Sequence, residues 1–154
     1  MIDIMKRTLI KALTLGVVSG CASAEPNGRS VNTVVINYTD RYIGDVTADG
    51  VWVGAADAYG GEGNRVQGLL APSDANRAAV LKVKWVVSGR LDFKTNHYIE
   101  LPVEAKSSSV EVARPYPANP SYLVIHFYPD GHVEAELEAD RPRRRIPKPP
   151  GYPR

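Results

Sequence analysis

Tyr122-Leu123-Val124-Ile125-His126-Phe127-Tyr128-Pro129-Asp130-Gly131-His132-Val133-Glu134-Ala135-Glu136-Leu137-Glu138 is the stretch that decides the fold. Two alternating runs flank Tyr128-Pro129-Asp130-Gly131, which suits a type I turn with proline second and a left-handed glycine fourth. Side chains on a strand alternate between its two faces, so the loop length fixes which residues meet. A two-residue loop at Asp130-Gly131 sets Phe127 opposite Glu134 and Ile125 opposite Glu136. A three-residue loop sets Phe127 opposite Val133, Ile125 opposite Ala135 and Leu123 opposite Leu137. Only the second register gives one apolar face, and it is the register expected. It also places His126 across from Glu134 on the other, wetter face, as a modest cross-strand pair.

Working outward, the same alternation recurs and helical periodicity is nearly absent. Leu81, Val83, Trp85 and Val87 alternate with Lys82, Lys84 and Val86, so one face of that run points inward. Strands are expected near residues 31–38, 42–47, 51–54, 79–87, 98–103, 109–112, 122–128 and 132–138. Pro102 cannot donate to a ladder, so the strand holding it belongs at an edge or a bulge. The fold class that follows is all-β: an antiparallel β-sandwich or open barrel of about eight short strands.

The N-terminus reads differently. Lys6, Arg7 and Lys11 precede a short apolar run, 12–18, and then Val18-Ser19-Gly20-Cys21. A positive start, a short apolar stretch and small residues before a cut mark a secretory leader, and the run is far short of the roughly 20 residues of a spanning helix. The four residues ending in Cys21 resemble the lipobox of bacterial lipoproteins. That resemblance implies cleavage between Gly20 and Cys21, acylation of the Cys21 thiol and, with Ala22 next, transfer to the outer membrane facing the periplasm. Cys21 is the only cysteine, so the processed chain has no thiol for a disulfide, a zinc site or catalysis. Four segments are expected: a leader over 1–20, the lipidated cysteine and a tether over 21–30, a β domain over 31–140 and a basic, proline-rich tail over 141–154.

The formal charge of +2 conceals an asymmetry. The tail holds Arg141, Arg143, Arg144, Arg145, Lys148 and Arg154 and no acid, and the processed body before it is net acidic. Five prolines in the tail (Pro142, Pro147, Pro149, Pro150, Pro153) predict an extended, unpacked segment, either solvated or facing anionic lipid or an acidic protein surface. Export makes nucleic acid an unsuitable partner.

Catalytic and metal patterns are weak. Gly60-Gly61-Glu62-Gly63 lacks the Gly-Lys-Ser/Thr ending of a phosphate loop and reads as a mobile connection spanning 57–64. No serine sits in a nucleophile elbow. Glu134, Glu136 and Glu138 alternate as a solvated face would, and His126 and His132 lie too far apart along the hairpin to share a metal. No catalytic residue, cofactor or metal is therefore expected. Asn37-Tyr38-Thr39-Asp40-Arg41-Tyr42 has two readings of equal standing. Tyrosine and arginine are favoured interface anchors; equally, Asp40 can cap the bend and Tyr42 can be core.

At that segment the chain resembles a family of small lipoproteins of unknown function from Gram-negative bacteria. The resemblance spans about residues 31–138. It rests on Asn37-Tyr38-Thr39-Asp40-Arg41-Tyr42-Ile43, Gly50-Val51-Trp52-Val53-Gly54, the Gly60-Gly61 loop, Val83-Lys84-Trp85, Val110-Glu111-Val112 with Pro115-Tyr116, and His126-Phe127-Tyr128-Pro129-Asp130-Gly131-His132-Val133. Members often carry cysteines just after the glycine-rich loop; Val66-Gln67-Gly68-Leu69-Leu70 has none. Such lipoproteins are often encoded beside lipase effectors of the type VI secretion system. The resemblance therefore implies an immunity protein that binds and blocks a phospholipase effector, with a structural or assembly lipoprotein of the envelope as the alternative. For the first role the expected partner-binding residues are Tyr38, Asp40, Arg41, Tyr42, Trp52, Asp57, Tyr59 and Glu62.

Overall fold

Residues 28–62 and 66–153 are described by the computed structural model. Gly20 and Cys21, with the leader and most of the tether, lie outside these residues, as do Gly63, Asn64 and Arg154. Among the described residues there is no helix, and the strands are β1 (Ser30–Asn37), β2 (Arg41–Ala48), β3 (Val51–Ala56), β4 (Val66–Leu70), β5 (Val80–Asp92), β6 (His97–Ile99), β7 (Glu104–Ala113), β8 (Tyr122–Phe127) and β9 (Val133–Glu138). They form one sheet in the order β3-β2-β5-β7-β9-β8-β1-β4, with β6 added to β5. The two ends of this path approach each other: a Cβ on Gly68 of β4 would lie 3.5 Å from Cγ1 of Val51 on β3. The result is a nearly closed barrel, as the all-β reading expects.

The hairpin register is the expected one. Phe127 pairs with Val133, Ile125 with Ala135 and Leu123 with Leu137. Tyr128 N–H donates to the His132 carbonyl at 3.1 Å, which leaves Pro129-Asp130-Gly131 as the loop, and Gly131 takes φ 89°. The inward residues of this hairpin meet those of β5: Trp85 sits edge-on to Phe127 with ring centroids 5.1 Å apart. With Val35, Ile43, Val83 and Val112 they fill the barrel. Each fully buried aliphatic or aromatic side chain of this kind stabilises the fold by roughly 1.5–3 kcal/mol.

Several expectations are corrected. Pairing is not antiparallel throughout, because β1 runs parallel to β8 and β7 parallel to β9. The 98–103 strand ends at Ile99, three residues before Pro102. Strand β7 begins at Glu104 rather than near residue 109, since its exposed first half is held by the ladder that pairs Val87 with Glu104 and Val83 with Ser108. Strand β4 carries no alternating apolar pattern and exists through its ladder to β1.

The largest correction concerns the tail. It returns along the outer face of β1, β8 and β9 instead of standing free. Pro142 is buried. Arg144 donates to the carbonyls of Asn37 at 3.4 Å and Tyr59 at 3.0 Å and forms an ion pair with Glu62 at 3.2 Å. Arg145 forms ion pairs with both Glu134 and Glu136.

These directions give the barrel two unlike ends. At the lower end β1, β5 and β8 begin and the turn Asp49-Gly50 joins β2 to β3. At the upper end lie the β1–β2 bend, the β3–β4 connection and the β8–β9 loop.

Candidate functional site

The upper end is built around Asn37. Its amide is fully buried, and Nδ2 donates to the carbonyls of Arg41 at 2.7 Å, Asp57 at 3.0 Å and Ala56 at 3.3 Å. Its Oδ1 accepts both the N–H and the hydroxyl of Thr39, each at 2.8 Å. One side chain thus ties the β1–β2 bend to the glycine-rich connection. Residues 57–62 of that connection are thereby hydrogen-bonded into the end of the barrel. Tyr59 N–H donates to the Thr39 carbonyl at 3.0 Å and Asn37 N–H to the Gly60 carbonyl at 2.9 Å. A Cβ on Gly61 would come within 1.8 Å of the Val35 carbonyl oxygen, so only glycine permits this close approach.

Within the ring of loops lies a cavity of about 510 Å3. Its floor is the apolar top of the barrel interior: Ile43, Trp85, Val87 and Phe127. Its walls carry Arg41, Arg90 and Lys106 against a single lining carboxylate, Asp40, with Tyr59, Tyr128 and His132 around the mouth. Arg41 and Arg90 are direct partners across the β2–β5 ladder, an arrangement of like charges that destabilises a sheet. Arg41 Nε donates to the Ser88 carbonyl at 2.6 Å, whereas its Nη2 is buried and makes no hydrogen bond. The nearest acid, Glu104 Oε1, lies 3.7 Å from Nη2, close enough for an ion pair and too long for a hydrogen bond. Glu104 also pairs with Lys106 at 3.4 Å.

A second polar cluster lies outside the barrel wall, beneath the tail. His126 is fully buried, contrary to the wet face expected for it. Its Nδ1 shares a hydrogen bond with the Tyr38 hydroxyl at 3.0 Å and its Nε2 meets Glu136, not Glu134, at 2.9 Å. Burial pushes the His126 pKa down, against the pull of Glu136. Burial also works to raise Glu136, but hydrogen bonds from His126 and Arg145 outweigh it and hold that carboxyl below its ordinary value. Burial raises the Tyr38 hydroxyl, whose oxygen accepts the Arg145 N–H at 3.1 Å. The Arg144 guanidinium stands 4.8 Å from the centre of the Tyr38 ring, a cation–π contact. The tail then reaches the upper rim, where Tyr152 packs edge-on to Tyr59 and Phe93.

Of the residues singled out from sequence, Asp40, Arg41 and Tyr59 come together on the cavity. Tyr38 touches the cavity wall, but it is only 2% exposed and its hydroxyl and ring are engaged inside the fold. Tyr42 packs edge-on to Tyr98 at 6.2 Å, and Asp57 accepts a hydrogen bond from the Tyr98 hydroxyl at 3.2 Å. That hydroxyl is pushed up to about 12, mainly by burial. Glu62 is held by Arg144. Trp52, 54% exposed, stands apart on β3 near the lower end. The sequence reading missed Arg90 and Lys106, and it placed Trp85 inward without linking it to the cavity. Only the ladder register brings them beside Arg41. Among the described residues no cluster of His, Cys, Asp and Glu is arranged to hold a metal ion.

A family model described as a protein of unknown function, DUF3304, matches residues 36–135. That span runs from the end of β1 into β9 and includes the bend, the glycine-rich connection and the hairpin. No curated relative and no solved structure matches the chain significantly.

Proposed function

The chain belongs to DUF3304, a family of proteins of unknown function, and we propose that it is an immunity lipoprotein, a lipid-anchored binding protein of the outer membrane. On this reading it faces the periplasm, captures a phospholipase effector of a type VI secretion system and blocks it without chemistry of its own. The observation that carries the reading is the placement of the two ends. Strand β1 starts at Ser30 on the lower end, nine residues after Cys21. An extended chain covers at most about 3.6 Å per residue, so lipid on Cys21 keeps the lower end within roughly 30 Å of the bilayer. That tether leaves the upper loops, with Asp40, Arg41, Tyr59 and the cavity mouth, free to face away from the membrane toward an incoming protein. A rigid loop platform with a few aromatic and charged anchors is the kind of surface that binds tightly without a large area.

The alternative, an assembly lipoprotein whose basic tail contacts lipopolysaccharide or another subunit, draws less support. Arg144 and Arg145 are already committed to Glu62, Glu134 and Glu136.

The test is capture of the products of adjacent genes by the full chain, followed by periplasmic expression of any captured lipase in cells with and without it. One-to-one capture with loss of lipase activity and rescue of growth supports the immunity role. Capture of no lipase by the folded chain, or equal survival without it, rejects that role.

A further inference from the structure

We propose that the upper cavity is a binding site for a small amphipathic anion, with a carboxylate or phosphate head on an alkyl or aryl body.

Three features point to an anion. Arg41 and Arg90 are set side by side by the ladder register, and Lys106 joins them on the same wall. Like charges directly opposite each other in a sheet cost stability unless a counter-charge lies between them. The lining carboxylate Asp40 and the rim residue Glu104 offset part of this charge, but neither gives Arg41 Nη2 a hydrogen bond. The Arg41 side chain remains 21% exposed and meets Glu104 only at 3.7 Å, and a planar guanidinium fork lining a cavity matches a carboxylate or phosphate. Asp130 and Glu134 face the His132 ring at the mouth, and the ion pair of Arg41 is with Glu104.

The apolar body follows from the floor. Below the cations the cavity ends on Ile43, Trp85, Val87 and Phe127, with no charged group among them. A volume of about 510 Å3 falls within the range of small-molecule sites, roughly 300–1,000 Å3. A bare inorganic anion leaves this floor unfilled, and a neutral oil adds no counter-charge to Arg41, Arg90 and Lys106. An anionic amphiphile entering with its apolar end first satisfies both.

The experiment uses the full chain carrying Cys21→Ser, which keeps added lipid out of the assay, and Trp52→Phe. Trp85 is then the sole tryptophan, because the chain has two. The probes are octanoate, its neutral counterpart octanol, and anilinonaphthalene sulfonate as a fluorescent reporter. Octanoate is expected to shift Trp85 emission saturably and displace the reporter, with octanol about tenfold weaker, as for the loss of one charge-assisted hydrogen bond. Arg41→Gln is expected to lower octanoate affinity by about tenfold and leave octanol unchanged. Arg90→Gln, at an exposed position, does the same to a lesser degree and covers the case in which Arg41→Gln does not fold. Equal binding of octanol and octanoate, full octanoate affinity in the folded variants, or no saturable Trp85 response overturns the proposal.

Discussion

The two ends of the barrel are closed in different ways. Below, β2 and β3 are joined by Asp49-Gly50, both at positive φ, 49° and 83°. The Asp49 carboxylate accepts the Lys82 N–H at 2.7 Å. Tyr116 adds a second tie between distant segments there, its hydroxyl accepting the Ala79 N–H at 3.0 Å and donating to the Arg77 carbonyl at 3.2 Å, and the surface nearby is apolar, with Val51, Trp52, Leu70 and Val80 exposed. Above, the ties converge on one fully buried side chain. Asn37 ties the bend at residue 39 to the connection at residue 57, and the tail returns from residue 144 to the same place. The upper surface is polar and cationic around a cavity. A tight turn and partly exposed contacts suffice where the chain only has to reverse. Side chains that span distant segments hold the end where charged groups are kept at close quarters and one donor is left open.

Removing the upper tie gives the sharpest break in that contrast. Asn37→Ala leaves several buried backbone groups without partners, and a loss of about 3 kcal/mol or more is expected in denaturant unfolding. A loss under about 1 kcal/mol would mean that the loops hold themselves.

Next comes the tail. Arg145→Ala removes the shared partner of Glu134 and Glu136. Because Arg145 is well exposed, the loss is expected to be modest, about 1–2 kcal/mol after allowance for solvent screening. Exchange of backbone amides in residues 141–153 should accelerate in this variant, while the Asp49-Gly50 turn stays unchanged.

Acid acts on the same face. The His126 pKa is lowered by burial, so the unfolded chain takes up a proton first as the pH falls below the ordinary histidine value of about 6.5. Stability is therefore expected to decline from that point down to the folded pKa, and the decline is expected to disappear in His126→Gln. Glu134 and Glu136, both held below the ordinary carboxylate value, add a second loss as the pH falls through the carboxylate range. A pH profile of unfolding midpoints for the parent and His126→Gln separates the two.

Smaller still is Gly131→Ala at the upper hairpin. A Cβ there meets nothing within 4 Å, so only the backbone at φ 89° resists it. The expected loss is about 1 kcal/mol. At the lower end, Val80→Ser is expected to stay within about 0.5 kcal/mol, since the side chain is exposed.

Legibility in the sequence follows the same division. Strand β5 and the β8–β9 hairpin are readable because one face of each is apolar and the turn residues fix the register. Strand β4 and the first half of β7 are not, since backbone pairing rather than burial holds them. The tail reads as solvated because prolines and cations usually are. Its partners, Glu62, Glu134 and Glu136, are far away in sequence, and the last two mimic a wet strand face. His126 is misplaced for the same reason, because the outer face of a small barrel is normally wet and here a strap covers its polar cluster. In the upper site, Asp40, Arg41 and Tyr59 stand out as charged and aromatic residues near turns. Arg90 and Lys106 look like ordinary surface cations until the ladders place them beside Arg41.

The central claim is that the upper end, and not the lower, is the working surface. Its most direct test challenges cells with the effector in the periplasm while they carry one of two variants. One has Arg41→Glu with Arg90→Glu at the cavity; the other has Leu70→Ser with Val80→Ser below. With equal amounts of folded protein, protection is expected to be lost in the first and kept in the second. Protection kept in the first and lost in the second would contradict the account.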